Sequence, residues 1–325
     1  MALTPVDEAH ALQIQAGIIG RTTGHNFEDI ITKKINEFSY PFILSIQQTG
    51  HVVSGDPANL LLNYIGHNKN IGIINSAVAL STGALATSEE GKRWLSVNGA
   101  TVSRCKSDLI ITLTDQNNVS QTIGVSTKQC NNRTPTNAQL YFSTARGFSR
   151  LLQTNGIQVS DNAILALRQF CGDVGFRPSD NPSLIANRLV DPRRYFWEEI
   201  NAEGRDEWEN IFNSEQDAVS RLLFQKAYLD DLFIPEFLLH KTKASQSEDQ
   251  IEVAIYSIDE LILLSRNYQS FTTKLYSVNK GSYRDPVGTK HEAPRFGVIQ
   301  MQRGGQQQHP EQLQFNLEAG YFYKI

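Results

Sequence analysis

An aspartate and a lysine stand at the ends of two neighbouring apolar segments of this 325-residue chain. Asp108 opens the segment DLIITLT, and Lys128 closes the segment TIGVSTK after a short polar break. Adjacent strands with these spacings bring a carboxylate and an ammonium group to one point. A carboxylate supplies the hard oxygen ligands that Mg²⁺ prefers, and a lysine orients or polarises an attacking water. The residue types therefore fit phosphodiester hydrolysis, in which a metal ion neutralises the phosphate and a water attacks it.

The elements around these residues must hold them together. β-Branched, apolar composition predicts strands over 102–114 and 122–128, and the turn residues between them predict a hairpin or an adjacent pair. Upstream, Asn26 is a predicted N-cap of a helix whose apolar residues follow helical spacing to position 38. Glu28 lies in the first turn of that helix and is the best candidate for a second carboxylate at the site.

The ordered set of Glu28, Asp108 and the tripeptide Ser126-Thr127-Lys128 resembles the PD-(D/E)-x-K nucleases, whose fold many type II restriction endonucleases share. In that family an Asp begins one strand of a central sheet, the triplet (D/E)-x-K ends the next strand, and an upstream helix often adds a Glu. The chain departs from the pattern at Ser126, where the family usually has an acid, and at Ser107, where it has proline. Some restriction enzymes use S-x-K, with the missing carboxylate supplied from elsewhere in the fold. The resemblance covers roughly residues 20–153.

The resemblance implies a Mg²⁺-dependent type II endonuclease that cuts double-stranded DNA at a specific sequence, within a restriction-modification system. It assigns Asp108 and Glu28 as metal ligands, Lys128 as the residue that positions the attacking water, and Ser126 as the replacement for the usual acid. Since palindromic targets favour two-fold symmetric proteins, a homodimer is expected. Two alternatives stay open. One is a repair or structure-specific nuclease of the same fold, and the other is a non-catalytic DNA-binding protein with a degenerate site, which the Ser126 departure supports.

The charge distribution and the C-terminal segment indicate where DNA would be contacted. The chain has a net charge of −4, but residues 266–303 carry seven basic and two acidic residues. A strand there would present Gln and Arg side chains, which pair with adenine and guanine in the DNA major groove. The predicted base contacts are Arg295, Gln300, Gln302, Arg303 and Gln306, and the predicted phosphate contacts are Arg133, Arg146 and Arg150. A solvated edge hairpin is the alternative for the C-terminal segment, and a solvated face is the alternative for any charge cluster.

The pattern of elements predicts a mixed α/β (α+β) fold with a central mixed β-sheet flanked by helices. No linker is evident, so we expect a single endonuclease domain over 1–325, with a catalytic core at about 20–155, a helical region at about 156–268 and a β-rich segment at 269–325. Further helices are predicted at 5–19, 57–66 and 137–153. The last of them carries Gln139 and resembles the helix that packs behind the site in this nuclease family. Strands are predicted at 270–278, 295–303, 312–317 and 320–324.

Composition and missing motifs exclude several other classes. The start of the chain has no secretory signal pattern, and no apolar run reaches the roughly 20 residues that span a bilayer. Three cysteines without a C-x-x-C pair favour free thiols in a reducing cytoplasm and argue against zinc. The sequence has no Walker A loop, dinucleotide fingerprint, HExxH or GxSxG motif.

Overall fold

The computed structural model describes residues 26–45, 50–82, 95–97, 99–102, 105–186, 188, 190–226, 231–245, 247, 249–268, 271–278, 288–303 and 312–321. The helix predicted at 5–19 lies outside the described residues, as do Gln306 and residues 322–324 of the last predicted strand.

Strands make up two main sheets and one short pair. They are β1 (Phe42–Ile43), β2 (Val52–Gly55), β3 (Ile73–Ser81), β4 (Leu95–Val97), β5 (Ala100–Val102), β6 (Leu109–Asp115), β7 (Ser120–Gln129), β8 (Ala138–Thr144), β9 (Pro235–Lys241), β10 (Ile251–Ser257), β11 (Thr272–Ser277), β12 (Lys290–Phe296), β13 (Ile299–Arg303) and β14 (Gln312–Leu317).

The α-helices of the described residues are α1 (26–37), α2 (Pro57–Asn68), α3 (Ala145–Thr154), α4 (Asp161–Cys171), α5 (Pro182–Ile185), α6 (Ala202–Ser214), α7 (Gln216–Gln225) and α8 (Ile258–Ser265). The chain divides into two compact units, each built from separate segments. The first unit comprises residues 1–138, 224–261 and 319–325, and the second comprises 139–223 and 262–318.

The first unit is built on a seven-stranded mixed sheet in the order β1-β3-β6-β7-β9-β10-β2. The pair β7 and β9 is parallel, and the other neighbouring pairs are antiparallel. Alternate residues of the central strands, such as Leu109 and Ile111 on β6 and Val125 on β7, enter one buried core. This alternation follows from the strand period of two.

Helix α1 packs on that core because its apolar residues recur on one face. Phe27, Ile31 and Ile35 are buried there, at 6%, 1% and 0% exposure. The Asn36 side chain also fastens the helix to strand β3, since its amide donates to Ala79 O at 3.0 Å and accepts from Ala79 N at 2.8 Å. The helix that carries Glu28 is therefore held rigidly against the sheet.

The second unit contains a five-stranded sheet in the order β11-β12-β13-β14-β8. Its core is aromatic, with the Trp208 ring 5.6 Å from the rings of Phe148 and Phe212, and the Phe212 ring 4.4 Å from that of Phe296. The Trp208 indole N–H donates to Ala163 O at 2.7 Å, which satisfies a buried polar group.

The predicted fold class, a mixed β-sheet flanked by helices, is confirmed. Helices at 26–37 and 57–68 and the β6–β7 hairpin also match the predictions. No helix in the described parts of the chain has the length and apolar character needed to cross a bilayer. The single endonuclease domain over 1–325 stays a prediction.

Three predicted elements are wrong. The helix predicted at 137–153 is strand β8 followed by α3, because Thr144 caps the helix by accepting from Gly147 N at 3.0 Å; Gln139 therefore lies on a strand. The strand predicted at 295–303 is a hairpin of β12 and β13, which reverses at Gly297, where φ is +51° and glycine is favoured. Residues 319–321 form a 3₁₀ turn, so the last predicted strand does not begin at 320.

Candidate active site

Asp108 and Lys128 meet at one end of the β6–β7 hairpin. The register pairs Leu109 with Val125, and the Asp108 N–H donates to Val125 O at 2.8 Å. Asp108 therefore sits opposite Ser126. Lys128 lies two residues further along β7, so its side chain is on the same face as that of Ser126. The Lys128 Nζ is 3.3 Å from Asp108 Oδ2. The structure thus brings the predicted carboxylate and amine together, and their catalytic roles stay a prediction.

One oxygen of the Asp108 carboxylate is fully engaged. Oδ2 accepts from Ser126 Oγ at 3.0 Å, from Thr127 N at 2.7 Å and from Lys128 Nζ at 3.3 Å. Among the described residues, no group donates a hydrogen bond to Oδ1. Because the side chain is 31% exposed, Oδ1 is the oxygen that an incoming cation can reach.

The Lys128 ammonium group is held by three acceptors. Besides Asp108, it donates to Thr127 O at 2.6 Å and to Ser126 Oγ at 2.9 Å. Ser126 is 4% exposed, and the Lys128 side chain is 20% exposed. Ser126 therefore bridges the Asp108 carboxylate and the Lys128 amine. It stands at the position where the PD-(D/E)-x-K nucleases usually carry an acid.

Glu28 joins the cluster from the other face of β7. It is 7% exposed, and its Oε1 accepts from the Thr127 hydroxyl at 2.8 Å. Burial, and after it the negative charge of Asp108, raises the pKa of Glu28 to about 8, although the Thr127 hydrogen bond and Lys128 oppose the change. At neutral pH the metal-free protein therefore keeps a proton on Glu28.

Two further basic residues lie beside the site, and the sequence reasoning did not identify them. His240 on β9 is aligned with Lys128 across the parallel β7–β9 pair and is 1% exposed, and burial lowers its pKa to about 4. Lys106, two residues before Asp108, has a pKa lowered to about 8 by burial and then by Lys128. Its backbone N–H donates to Asp231 Oδ2 at 2.6 Å. The sequence could have indicated Lys106, because it lies two residues before Asp108. It could not have indicated His240, because His240 comes beside Lys128 only through the pairing of β7 with the distant strand β9.

Asp108 offers a magnesium ion one open carboxylate oxygen, while Glu28 contacts Thr127 on the other face of β7, so waters and substrate would supply most of the coordination. In the described ranges, no group of three or more His, Cys, Asp or Glu side chains is arranged to hold a metal. Mg²⁺ keeps several waters and needs only one or two carboxylates together with substrate phosphate oxygens. Glu28 holds its proton first because it is buried and then because Asp108 is negatively charged. A divalent cation would relieve that repulsion.

The predicted phosphate contacts are exposed arginines. Arg133 lies in the loop after β7 in the first unit. Arg146 and Arg150 lie on α3 in the second unit, where they line an open cavity of about 530 Å³ together with Arg168 and Phe176. Their contact with phosphate stays a prediction.

The predicted base contacts that the structure describes lie on two strands, Arg295 on β12 and the others on β13. Gln300 and Gln302 are half-buried on one side of β13, and Arg295 pairs with Glu318 at 2.5 Å. Arg303 points to the other side and is 9% exposed beside Asp191. The structure thus separates Arg303 from the two glutamines, and contact with bases stays a prediction for these residues.

No protein-family model matches the chain, and no curated protein matches it either. Among solved structures, the chain is similar to the restriction endonuclease MspI in complex with its cognate DNA, with a TM-score of 0.43 and 10% sequence identity. The match covers 79% of this chain and 76% of that one. A TM-score this low assigns neither a fold nor an activity.

Proposed function

We propose that the protein is a Mg²⁺-dependent, sequence-specific endonuclease that hydrolyses phosphodiester bonds of double-stranded DNA. The observation that carries the proposal is the convergence of Asp108, Ser126 and Lys128, in which one carboxylate oxygen accepts from both other side chains. An acid and an amine fixed at one partly exposed point supply what hydrolysis of a phosphodiester requires from the protein.

Asp108 Oδ1 and Glu28 would hold the magnesium ion, which when bound neutralises charge on the scissile phosphate and lowers the pKa of water. Lys128 donates hydrogen bonds from an ammonium group that Thr127 O and Ser126 Oγ hold in place. Its longest contact, 3.3 Å to Asp108 Oδ2, would have to be exchanged for the attacking water, which Lys128 would then orient while its charge offsets the negative charge that develops on the phosphate. Ser126 holds the Lys128 amine and the Asp108 carboxylate in place through its hydroxyl. The hydroxyl cannot itself take a proton from water near neutral pH.

The partners follow from the same proposal. The substrate is double-stranded DNA, and a homodimer would suit a palindromic site. The arginines predicted to contact phosphate or bases, together with Gln300 and Gln302, would contact the duplex. A cytoplasmic location agrees with three free cysteines, Cys105, Cys130 and Cys171.

The test compares plasmid cleavage by the wild-type protein with cleavage by Asp108→Asn and Lys128→Ala in Mg²⁺. Each substitution should lower the cleavage rate by about 10²–10⁴-fold, the usual effect of removing one such group. Lys33→Ala is the matched control, because Lys33 lies on α1 with a side chain 74% exposed. DNA binding measured in Ca²⁺ should survive both site substitutions. Full cleavage by both variants would show that the assignment is wrong.

The outcome also separates the alternatives. Discrete bands from an intact plasmid support site-specific cleavage, whereas cutting only of branched or damaged DNA supports a repair or structure-specific nuclease. Binding in Ca²⁺ without cutting in Mg²⁺ or Mn²⁺ at several pH values supports a non-catalytic DNA-binding protein. Ser126 at the acid position favours that last alternative.

A further inference from the structure

Helices α3 and α4 of the second unit, with the loop after α4, line an open cavity of about 530 Å³. Its volume lies within the range of about 300–1,000 Å³ that is usual for small-molecule sites. Three arginines and three apolar side chains line it, namely Arg146, Arg150, Arg168, Ile164, Leu165 and Phe176. The cavity thus combines cationic hydrogen-bond donors with an apolar wall.

Arg168 is held in place by two contacts of its guanidinium group. Nε donates to Asp173 Oδ2 at 2.8 Å, and the guanidinium carbon lies 3.6 Å from the centre of the Phe176 ring. Neither Nη1 nor Nη2 makes a hydrogen bond to a described residue, and neither is buried. Both nitrogens can therefore donate to a ligand in the cavity, and a donor that is fixed before binding loses less freedom when the ligand arrives.

Arg146 and Arg150 lie one turn apart on α3, and both are exposed. Neither side chain pairs with an acid in the part of the chain that the structure describes. Like charges at this spacing repel each other. Arg146 also lies in the first turn of the helix, where the helix dipole disfavours a cation. An anion between the two side chains would offset both effects.

Acids balance only part of this positive charge. Asp161 is the acid that lines the cavity among the described residues, and it makes no ion pair with any of them. It is the first residue of α4, where the helix dipole favours a carboxylate. Asp173 pairs with Arg168. Three arginines thus face two acids, and Arg146 and Arg150 stay open to an anionic ligand.

We propose that this cavity binds a phosphate ester. The phosphate group lies between Arg146, Arg150 and the Nη atoms of Arg168, because guanidinium groups present forked donors that match phosphate oxygens. The organic group lies against Ile164 and Leu165, which are half-buried and offer apolar surface to the cavity. A nucleotide has both parts.

The ester can be a free nucleotide or a nucleotide of a single DNA strand, which share this chemistry. The inference goes beyond the proposed cleavage and does not depend on it, because the cavity belongs to the second unit and Asp108 and Lys128 belong to the first. Binding is therefore measured without Mg²⁺, so that a failure of this inference and a failure of the proposed cleavage are seen separately.

The first experiment measures binding of deoxyadenosine monophosphate to the full chain by calorimetry, in EDTA and at constant ionic strength. Arg150→Met should bind the nucleotide about tenfold more weakly, which matches the loss of one charged hydrogen bond. Asp161→Asn removes the acid from the lining and should bind it about 1.5–5-fold more tightly. Arg205→Met is the matched control, because Arg205 lies on α6 beside Asp206 and Glu209, and it should leave the affinity unchanged.

A second measurement separates the two halves of the ligand. Leu165→Ala shortens the apolar wall, so it should weaken binding of the nucleotide about three- to tenfold and leave binding of inorganic phosphate unchanged. Arg150→Met should weaken binding of both. Circular dichroism will confirm that each variant is folded, and Ile164→Ala takes the place of Leu165→Ala if that variant is not.

The third measurement identifies the source of the ester, with a single-stranded and a duplex oligonucleotide in Ca²⁺. A loss of affinity in Arg150→Met for the free nucleotide identifies a nucleotide site. A loss for the single strand without a loss for the free nucleotide identifies a site for a nucleotide of a strand. Both results support the inference.

Three results would overturn the inference. The first is that neither the nucleotide nor the single strand binds, or that Arg150→Met binds both as the wild-type protein does. The second is a loss of affinity for the duplex alone, which would leave only the backbone contact already predicted for Arg150. The third is that Leu165→Ala retains full affinity for the ligand whose binding Arg150→Met weakens.

Discussion

Replacing Glu28 by glutamine should abolish a pH dependence of stability that the site imposes. Glutamine keeps the size of the side chain and the oxygen that accepts from Thr127 Oγ1 at 2.8 Å, but it cannot ionise. The pKa of Glu28 is raised from 4.5 to about 8 by burial and by Asp108. The folded state therefore binds this proton more tightly than the unfolded state. The stability due to Glu28 is complete below pH 4.5 and is lost as the pH rises through about 8.

The magnitude follows from about 1.4 kcal/mol for each pH unit between the two pKa values. Between about pH 6 and about pH 9, the free energy of unfolding of the wild-type protein should fall by about 2.5 kcal/mol because of Glu28, and that of Glu28→Gln should lack this decrease. The assay is urea unfolding followed by circular dichroism at both pH values without metal. The quantity to compare is the difference in free energy of unfolding between variant and wild type, which removes the effect of other titrating groups.

Glu37→Gln is the matched control, because Glu37 lies on the same helix with a side chain 63% exposed. Its difference from wild type should be the same at both pH values. Mg²⁺ should stabilise the wild-type protein at high pH more than it stabilises Glu28→Gln, since a ligand that binds only the folded state raises stability. A Glu28→Gln difference that is constant from pH 6 to pH 9 would refute the placement of a buried carboxyl next to Asp108.

Two further predictions concern packing around the site and in the second unit. Thr127→Val removes the hydroxyl that favours the ionised form of Glu28. Urea unfolding should therefore show a free energy of unfolding lower by about 1–3 kcal/mol, with the larger decrease at pH 9 than at pH 6. An equal decrease at both pH values would contradict this prediction. Gly204→Ala should destabilise the second unit by about 1–3 kcal/mol, because an added Cβ would lie 2.1 Å from Asn162 O. Gly72→Ala, where nothing lies within 4 Å of that position, is its control, and equal unfolding midpoints for the two variants would count against the close helix contact.

Local patterns were sufficient for the elements that carry the site. β-Branched composition and a polar turn predicted the β6–β7 hairpin, and helical spacing with an Asn N-cap predicted α1. Local rules failed at 137–153, where apolar residues satisfy a strand and a helix in succession. The boundary there is set by the Thr144 hydroxyl cap and by pairing of β8 into a sheet, and the second of these depends on residues far away in the chain.

The sequence by itself determined which chemical groups are available and which short segments carry them: Asp108 before one strand, Lys128 at the end of the next, and Glu28 on a helix. Tertiary structure alone decided their surroundings. Docking of α1 buried Glu28 and raised its pKa, and the parallel β7–β9 pair placed His240 beside Lys128. The physical reason is that periodicity is a property of neighbouring residues, whereas desolvation and long-range pairing are produced only when distant segments pack together.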